Sequence, residues 1–194
     1  MPLPRSFYAR NTIKVARELL GKVLVRKKEG VMKGIIIEVE AYTENDPASH
    51  SYRGPTPRNR VMYGPPGHAY VYFCYGNHWL LNFVTEKEGV AGAVLIRAIK
   101  PIEGIELMKK NRGTNDIKNL TNGPGKLTKA LGIDGKDNGT DITRGNLYVE
   151  EGITPRKIQR GKRIGIKNGV ELKRRFFISE PESFQLLDQP QSLP

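Results

Sequence analysis

Glu38, Glu40 and Tyr42 recur at every second position of the run Ile35-Ile36-Ile37-Glu38-Val39-Glu40-Ala41-Tyr42. A strand of period two sets these two carboxylates and the phenol on one face, with Val39 and Ala41 on the other. The β-branched residues ahead of them read as a strand that begins fully buried and then alternates. Carboxylates projecting from a core strand are costly to desolvate unless something requires them there. One such requirement is general-base chemistry, which contributes ~10²–10⁴ to a rate. The same pattern also fits an exposed polar face whose acids pair with Lys and Arg, and the strand by itself leaves both readings open. Arg97, the one charged residue in Gly92-Ala93-Val94-Leu95-Ile96-Arg97-Ala98-Ile99, bears on the choice. An arginine within a core strand must be paired or bind an anion, so Glu38 or Glu40 is its natural partner.

A second cluster is aromatic. Two β-rich runs, His68-Ala69-Tyr70-Val71-Tyr72-Phe73-Cys74-Tyr75 and His78-Trp79-Leu80-Leu81-Asn82-Phe83-Val84-Thr85, flank Gly76-Asn77. This spacing predicts a tight hairpin with positive φ at its first turn residue. Tyr70 and Tyr72 share a face, where core packing is the ordinary role of such rings, whereas Tyr75 at the tip has no core to enter and is placed to touch a partner. The register is left open: a strict two-residue turn sets Asn82 opposite Val71 and away from Tyr72, whereas a bulge or a longer turn brings it round to the Tyr72 face. Between the acidic strand and this hairpin, residues 43–67 lose all periodicity and carry Asp46, His50, Arg53, Arg58, Asn59 and Arg60 among prolines. A connection of that length in a compact domain is uncommon unless it is functional or disordered, and the prolines and arginines favour function. Further on, Asn122-Gly123-Pro124-Gly125-Lys126-Leu127 reads as a glycine-rich approach to a short helix whose amide-rich, basic start, Lys126 included, could hold a phosphate. It is not a Walker loop, because Leu120 and Leu127 stand where that pattern needs Gly and Ser or Thr.

The elements that must position these residues are mixed. Asn11 or Thr12 caps a helix with Ile13, Ala16, Leu19 and Leu20 on one face, ended by Gly21. Residues 22–26 read as a strand, Glu29-Gly30 as a turn, and 31–42 as the antiparallel partner carrying the acids. Pro101 opens a helix through Ile102, Ile105, Leu107 and Met108. Residues 111–122 are polar and receive no fold. Leu147-Tyr148-Val149 and Arg175-Phe176-Phe177-Ile178 read as late strands with basic residues 156–163 between them. With 194 residues, 38% hydrophobic, the chain suits one core, so residues 1–180 are expected to form one domain and 181–194 a frayed tail.

Composition narrows the partners. Lys+Arg 32 against Asp+Glu 20 gives a net charge of +12, spread along the chain, which predicts a basic face and a polyanionic partner, nucleic acid before membrane surface. A single cysteine, Cys74, excludes an internal disulfide and a multi-cysteine zinc site and fits a reducing compartment. His68 and His78 read as surface or packing residues, too scattered with Cys74 for a metal site. The N-terminus lacks a signal-peptide core and no apolar run reaches a membrane span, so a cytoplasmic protein is expected.

A basic chain with a carboxylate on a core strand, a tyrosine-rich hairpin and a proline-stiffened loop fits an enzyme that extracts a base from duplex DNA. Each stacking contact contributes ~1–3 kcal/mol, comparable with the few kcal/mol that unstacking requires. The runs Glu38-Val39-Glu40-Ala41-Tyr42, Asp46-Pro47-Ala48-Ser49-His50, Arg53-Gly54-Pro55-Thr56-Pro57-Arg58-Asn59, Pro66-Gly67-His68-Ala69-Tyr70-Val71-Tyr72, Tyr75-Gly76, Leu81-Asn82, Val94-Leu95-Ile96-Arg97-Ala98 and Gly123-Pro124-Gly125-Lys126-Leu127 resemble the alkyladenine (3-methyladenine) DNA glycosylase family. The resemblance spans roughly residues 5–180, with its motifs in family order.

It implies a monofunctional glycosylase without metal or cofactor, acting as a monomer on double-stranded DNA containing damaged purines: 3-methyladenine and 7-methylguanine, with hypoxanthine and ethenoadenine as further candidates. By the family pattern, Glu40 deprotonates the attacking water and Arg97 lies near that water and the flipped nucleotide's phosphate. Tyr42, His50 and Tyr72 enclose the base, Asn82 borders the pocket and disfavours guanine's amino group, and Tyr75 enters the duplex through the minor groove. Arg58, Asn59 and Lys126 are expected to contact DNA. The implied fold is a single α+β domain on a curved, mostly antiparallel sheet, similar to the open barrel of the formyltransferase C-terminal domain, with the hairpin protruding. Asn77 departs from a common family pattern, in which methionine follows the tip glycine. A non-catalytic nucleic-acid-binding module would explain the charge and Tyr75 but not Glu40 beside Arg97. The helix-hairpin-helix glycosylases require a largely helical chain, which this one is not.

Overall fold

A computed structural model describes residues 1–74 and 76–178. Tyr75 and the expected tail at 181–194 lie outside the described residues. Helices α1 (Arg5–Tyr8) and α2 (Thr12–Leu19) precede strands β1 (Val23–Lys27), β2 (Val31–Thr43), β3 (Ala69–Cys74), β4 (His78–Val84) and β5 (Gly92–Glu103). Helices α3 (Ile105–Arg112) and α4 (Pro124–Leu131) follow, then β6 (Leu147–Glu150), β7 (Ile158–Gly161) and β8 (Arg175–Ile178). All strands join one antiparallel sheet in the order β3-β4-β5-β2-β1-β6, with β8 added to β2 and β7 to β8.

Strand β2 governs the architecture because it is long enough to take different partners along one edge. Its first part pairs with β1, from Lys27↔Val31 to Val23↔Ile35, and its later part pairs with β8 at Glu38, Val39 and Glu40. Strand β5 follows its other edge throughout, with register shifts near Gly34 and Glu38. Bulges bend a strand and increase its twist, and the sheet curls into a half-barrel accompanied by a few helices, an α+β arrangement. Helix α2 packs on β2 and β5, and α4 packs on β4 and β5. Asn11 caps α2 by accepting from the Ile13 and Lys14 amides, which leaves Val15, Ala16 and Leu19 to enter the core. Among the described residues, no helix is long and apolar enough to cross a membrane.

Four local expectations change. Cys74 pairs with His78, Tyr72 with Leu80 and Tyr70 with Asn82, so three residues, not two, separate the paired ends of the hairpin. That one-residue difference moves every β4 side chain to the other face, and Asn82 therefore shares a face with Tyr70 and Tyr72. Gly76 has the expected positive φ, +70°.

Pro101 does not open a helix. It lies within β5 opposite Gly34, where β4 no longer pairs, since that ladder ends at Leu95; its missing N–H therefore breaks no ladder. The helix starts after Gly104, whose φ of +72° and whose closeness to the Val31 carbonyl leave no room for a Cβ. Residues 111–122 are folded despite their polarity. Asp116 caps a 3-10 turn at Ile117–Asn119, Leu120 is fully buried, and the Thr121 hydroxyl donates to the Ile99 carbonyl at 2.6 Å. The basic 156–163 stretch contains β7, which the charge pattern hid.

Candidate active site

A cavity of about 630 Å³ opens between β2, β5, the β3–β4 hairpin, the start of α4 and residues 164–168. Glu40, Tyr42, His50, Tyr70, Tyr72, Asn82, Arg97 and Lys126 all line it. Most of the candidate residues scattered over the sequence thus meet at one concave surface.

Glu40 is 0% exposed, and a carboxylate in that position needs donors. It has them on both oxygens. Oε2 accepts from the Tyr42 hydroxyl at 2.8 Å, while Oε1 accepts from the Ile164 amide at 2.8 Å and lies 3.4 Å from Arg97 Nη1. Arg97 reaches both acids, since its Nε donates to Glu38 Oε1 at 3.0 Å. The β2–β5 pairs Glu38↔Ala98 and Val39↔Ile96 pass over Arg97, and a residue at such a bulge is re-aimed relative to a regular ladder. Glu38 is the more open acid, a quarter exposed and also 3.5 Å from Arg175. The question left open by the sequence, which acid pairs with Arg97, is answered by a bridge to both.

The rings form the adjoining wall. Tyr72 lies 4.6 Å from His50 and 5.3 Å from Tyr70, centroid to centroid, and His50 Nδ1 is 2.9 Å from the Tyr70 hydroxyl. Burial, then Glu40, raises the Tyr42 pKa, so the phenol stays protonated and its hydroxyl hydrogen-bonds to the carboxylate. Burial likewise raises Tyr72, and pushes Tyr70 up to about 12 against the opposing influence of Arg58. His50 is exposed on its outer side; partial burial among the rings and then Arg58 lower its pKa from 6.5, which favours the neutral imidazole. Asn82 is 3% exposed and donates through Nδ2 to the Tyr70 carbonyl at 3.0 Å.

The remaining candidates have different surroundings. The Arg58 guanidinium lies 5.2 Å from the Tyr72 centroid and donates to the Phe73 carbonyl at 3.3 Å, beside the cavity mouth. Lys126, in the first turn of α4, donates to Asn122 at 2.9 Å and Asn119 at 3.2 Å. Asn59 is buried, with its side chain committed inside its own loop. Its Nδ2 donates to the His50 and Gly54 carbonyls at 2.8 and 3.0 Å, and its Oδ1 accepts from the Thr56 amide at 2.6 Å. No polar atom of that amide is left over to face a partner, so Asn59 braces the loop that carries His50. Among the described residues, no group of three or more His, Cys, Asp or Glu could hold a metal ion.

Sequence reasoning passed over the support behind Tyr42. Asp46 and Arg163 are both fully buried and form a bidentate pair, Nη1 to Oδ2 and Nη2 to Oδ1, the latter at 2.8 Å. Arg174 adds a third contact to Asp46 at 3.2 Å. Burial would raise the Asp46 pKa, but hydrogen bonds from Arg163 and the Ala48 amide and the nearby cations outweigh it and hold the carboxyl below its ordinary 3.8. A group depressed on folding stabilises fully above its unfolded pKa and loses that contribution as pH falls through the folded value. The melting temperature of the wild-type chain is therefore expected to exceed that of Asp46→Asn at pH 6, with the gap closing below pH 3.8. A gap unchanged down to acid unfolding would remove the charge from this account.

A buried carboxylate held next to a guanidinium, with tyrosine and histidine rings beside it, can activate water against a flat aromatic ligand. The family model described as methylpurine-DNA glycosylase matches residues 6–182. A protein of Methanoculleus marisnigri is 49% identical over 183 residues, covering 92% of this chain and 95% of the relative. One of Carboxydothermus hydrogenoformans is 50% identical over 182 residues, covering 92% and 95%, and one of Prosthecochloris aestuarii is 52% identical over 181 residues, covering 91% and 87%. All three are named 3-methyladenine DNA glycosylases. On the match along almost its whole length, the chain belongs to the methylpurine-DNA glycosylase family.

Proposed function

We propose that this protein is a monofunctional DNA-3-methyladenine glycosylase that flips a damaged purine out of duplex DNA and hydrolyses its N-glycosidic bond. The observation that carries the reading is Glu40, fully buried in the wall of an aromatic cavity and held from both oxygens. A base placed between Tyr42 and Tyr72, with His50 against its other side, gains stacking of ~1–3 kcal/mol per contact, enough in two or three contacts to offset extrusion. Water then attacks C1′, Glu40 takes its proton, and the electrons of the broken C–N bond leave with the base. Arg97, already between the two acids, lies near the water and the flipped nucleotide's phosphate. A cationic base such as 3-methyladenine departs without further help, whereas a neutral lesion such as hypoxanthine needs its leaving nitrogen protonated as well.

The β3–β4 hairpin protrudes from an open barrel of the formyltransferase C-terminal type in this reading, and Tyr75 fills the vacated stack from the minor groove. Asn82, brought to the Tyr72 face by the three-residue connection, borders the pocket and disfavours guanine's amino group. Arg58 and Lys126 contact DNA, while Asn59 acts through the loop it braces. The enzyme works as a cytoplasmic monomer without cofactor. The direct test is single-turnover incubation with a duplex bearing one hypoxanthine or ethenoadenine, and with methylated DNA. Free base and abasic sites are expected. Tight binding without base release from any of these substrates would leave a non-catalytic recognition module.

A further inference from the structure

We infer that Arg163, clamped by Asp46, is a positioning residue for both the general base and the stacking tyrosine. The inference rests on the glycosylase reading above and adds to it a part of the machinery outside the cavity's reacting groups.

The geometry connects one guanidinium to both. Arg163 Cζ lies 4.6 Å from the centroid of the Tyr42 ring, so the cation supports the ring on one side. Its Nη1 also donates to the Ala41 carbonyl at 2.9 Å, which fixes the β2 backbone between Glu40 and Tyr42. Its Nη2 donates to the Gly169 carbonyl at 3.2 Å, tying down the far end of the segment that lines the cavity. The next residue, Ile164, supplies the amide that holds Glu40 Oε1. Displacing Arg163 thus loosens the Tyr42 ring and the amide donor together. Asp46 fixes the guanidinium in its plane through two parallel hydrogen bonds, a specificity that a lysine ammonium cannot reproduce.

A structural ion pair elsewhere provides the control. Arg26 and Asp137 are also buried and paired at 2.9 Å, joining β1 to the turn after α4, and neither lines the cavity. In single-turnover base release, the amplitude reports the folded, competent fraction and the rate constant reports positioning. Arg163→Lys is expected to lower the rate constant on the order of 10- to 100-fold, the scale of a misplacement near 1 Å. Asp137→Asn is expected to lower thermal stability while leaving the rate constant of the folded fraction as in wild type. Asp46→Asn, which keeps the clamp's shape and removes its charge, should slow release in the same direction by a smaller factor, and it serves if Arg163→Lys does not fold. A wild-type rate constant in the folded Asp46 or Arg163 variant, or an equal loss in the Asp137 control, overturns the inference. Absence of release from the wild type would instead overturn the glycosylase reading.

Discussion

Glu40→Gln is expected to reduce single-turnover base release by ~10²–10⁴ while the variant still folds and binds damaged duplex. The surroundings of the side chain explain why the substitution tests chemistry. Oε1 receives two donors, the Ile164 amide and Arg97, whereas Oε2 faces only the Tyr42 hydroxyl. A glutamine can keep its carbonyl oxygen toward the first pair and turn its NH₂ to Tyr42, whose hydroxyl rotates from donor to acceptor. The cavity wall then stays satisfied and only proton acceptance is lost. Glu38→Gln is the paired measurement. It removes the carboxylate that fixes Arg97 Nε and lies near Arg175, so it should slow release on the order of tenfold, by loosening Arg97, without abolishing it. Complete loss with Glu38→Gln and retained activity with Glu40→Gln would transfer the base to the other acid.

Both acids were legible because they lie on one long strand whose alternation is local. Ile35 to Tyr42 announces its own faces, and despite the register shifts near Glu38 the contacts of Arg97 with both acids and of Tyr42 with Glu40 keep the three side chains together. The tyrosine hairpin and the capped α2 were legible for the same reason, each being specified within a dozen residues. What escaped depends on contacts between distant parts of the chain. Arg163 belongs to a basic stretch that gives no sign of burial, and its partner Asp46 lies in an aperiodic loop 117 residues earlier. The face of Asn82 stayed open in the sequence because a single extra hairpin residue inverts a period-two pattern, and the longer connection is the one that forms. Leu120 and Thr121 are two buried anchors in a polar segment, too few to produce a periodicity. Asn59 illustrates the converse: its loop was read as functional, yet its own side chain is spent on holding that loop together.

Tyr42 separates the two tasks of the site most sharply, because phenylalanine and alanine remove different parts of it. Tyr42→Phe keeps the stacking face and deletes only the hydroxyl donor to Glu40, a bond to a carboxylate of the kind that contributes ~1.5–3 kcal/mol. Its effect should fall on the chemical rate, with little change in affinity for a damaged duplex. Tyr42→Ala loses that donor and also the ring, a further ~1–3 kcal/mol of stacking, so both rate and binding decline and the combined loss approaches that of Glu40→Gln. The alanine variant has another consequence. With the ring gone, the Arg163 guanidinium that sat 4.6 Å behind it faces the base pocket directly. A cationic lesion such as 3-methyladenine is then repelled, while neutral hypoxanthine is not, so the alanine variant should lose more activity on the cationic base than on the neutral one. Single-turnover rates and dissociation constants for both lesions, measured on the two variants, decide the matter. Equal losses for the two lesions in Tyr42→Ala would mean that Asp46 neutralises Arg163 as seen from the pocket, and an affinity loss in Tyr42→Phe as large as in Tyr42→Ala would mean that the ring is not the stacking surface.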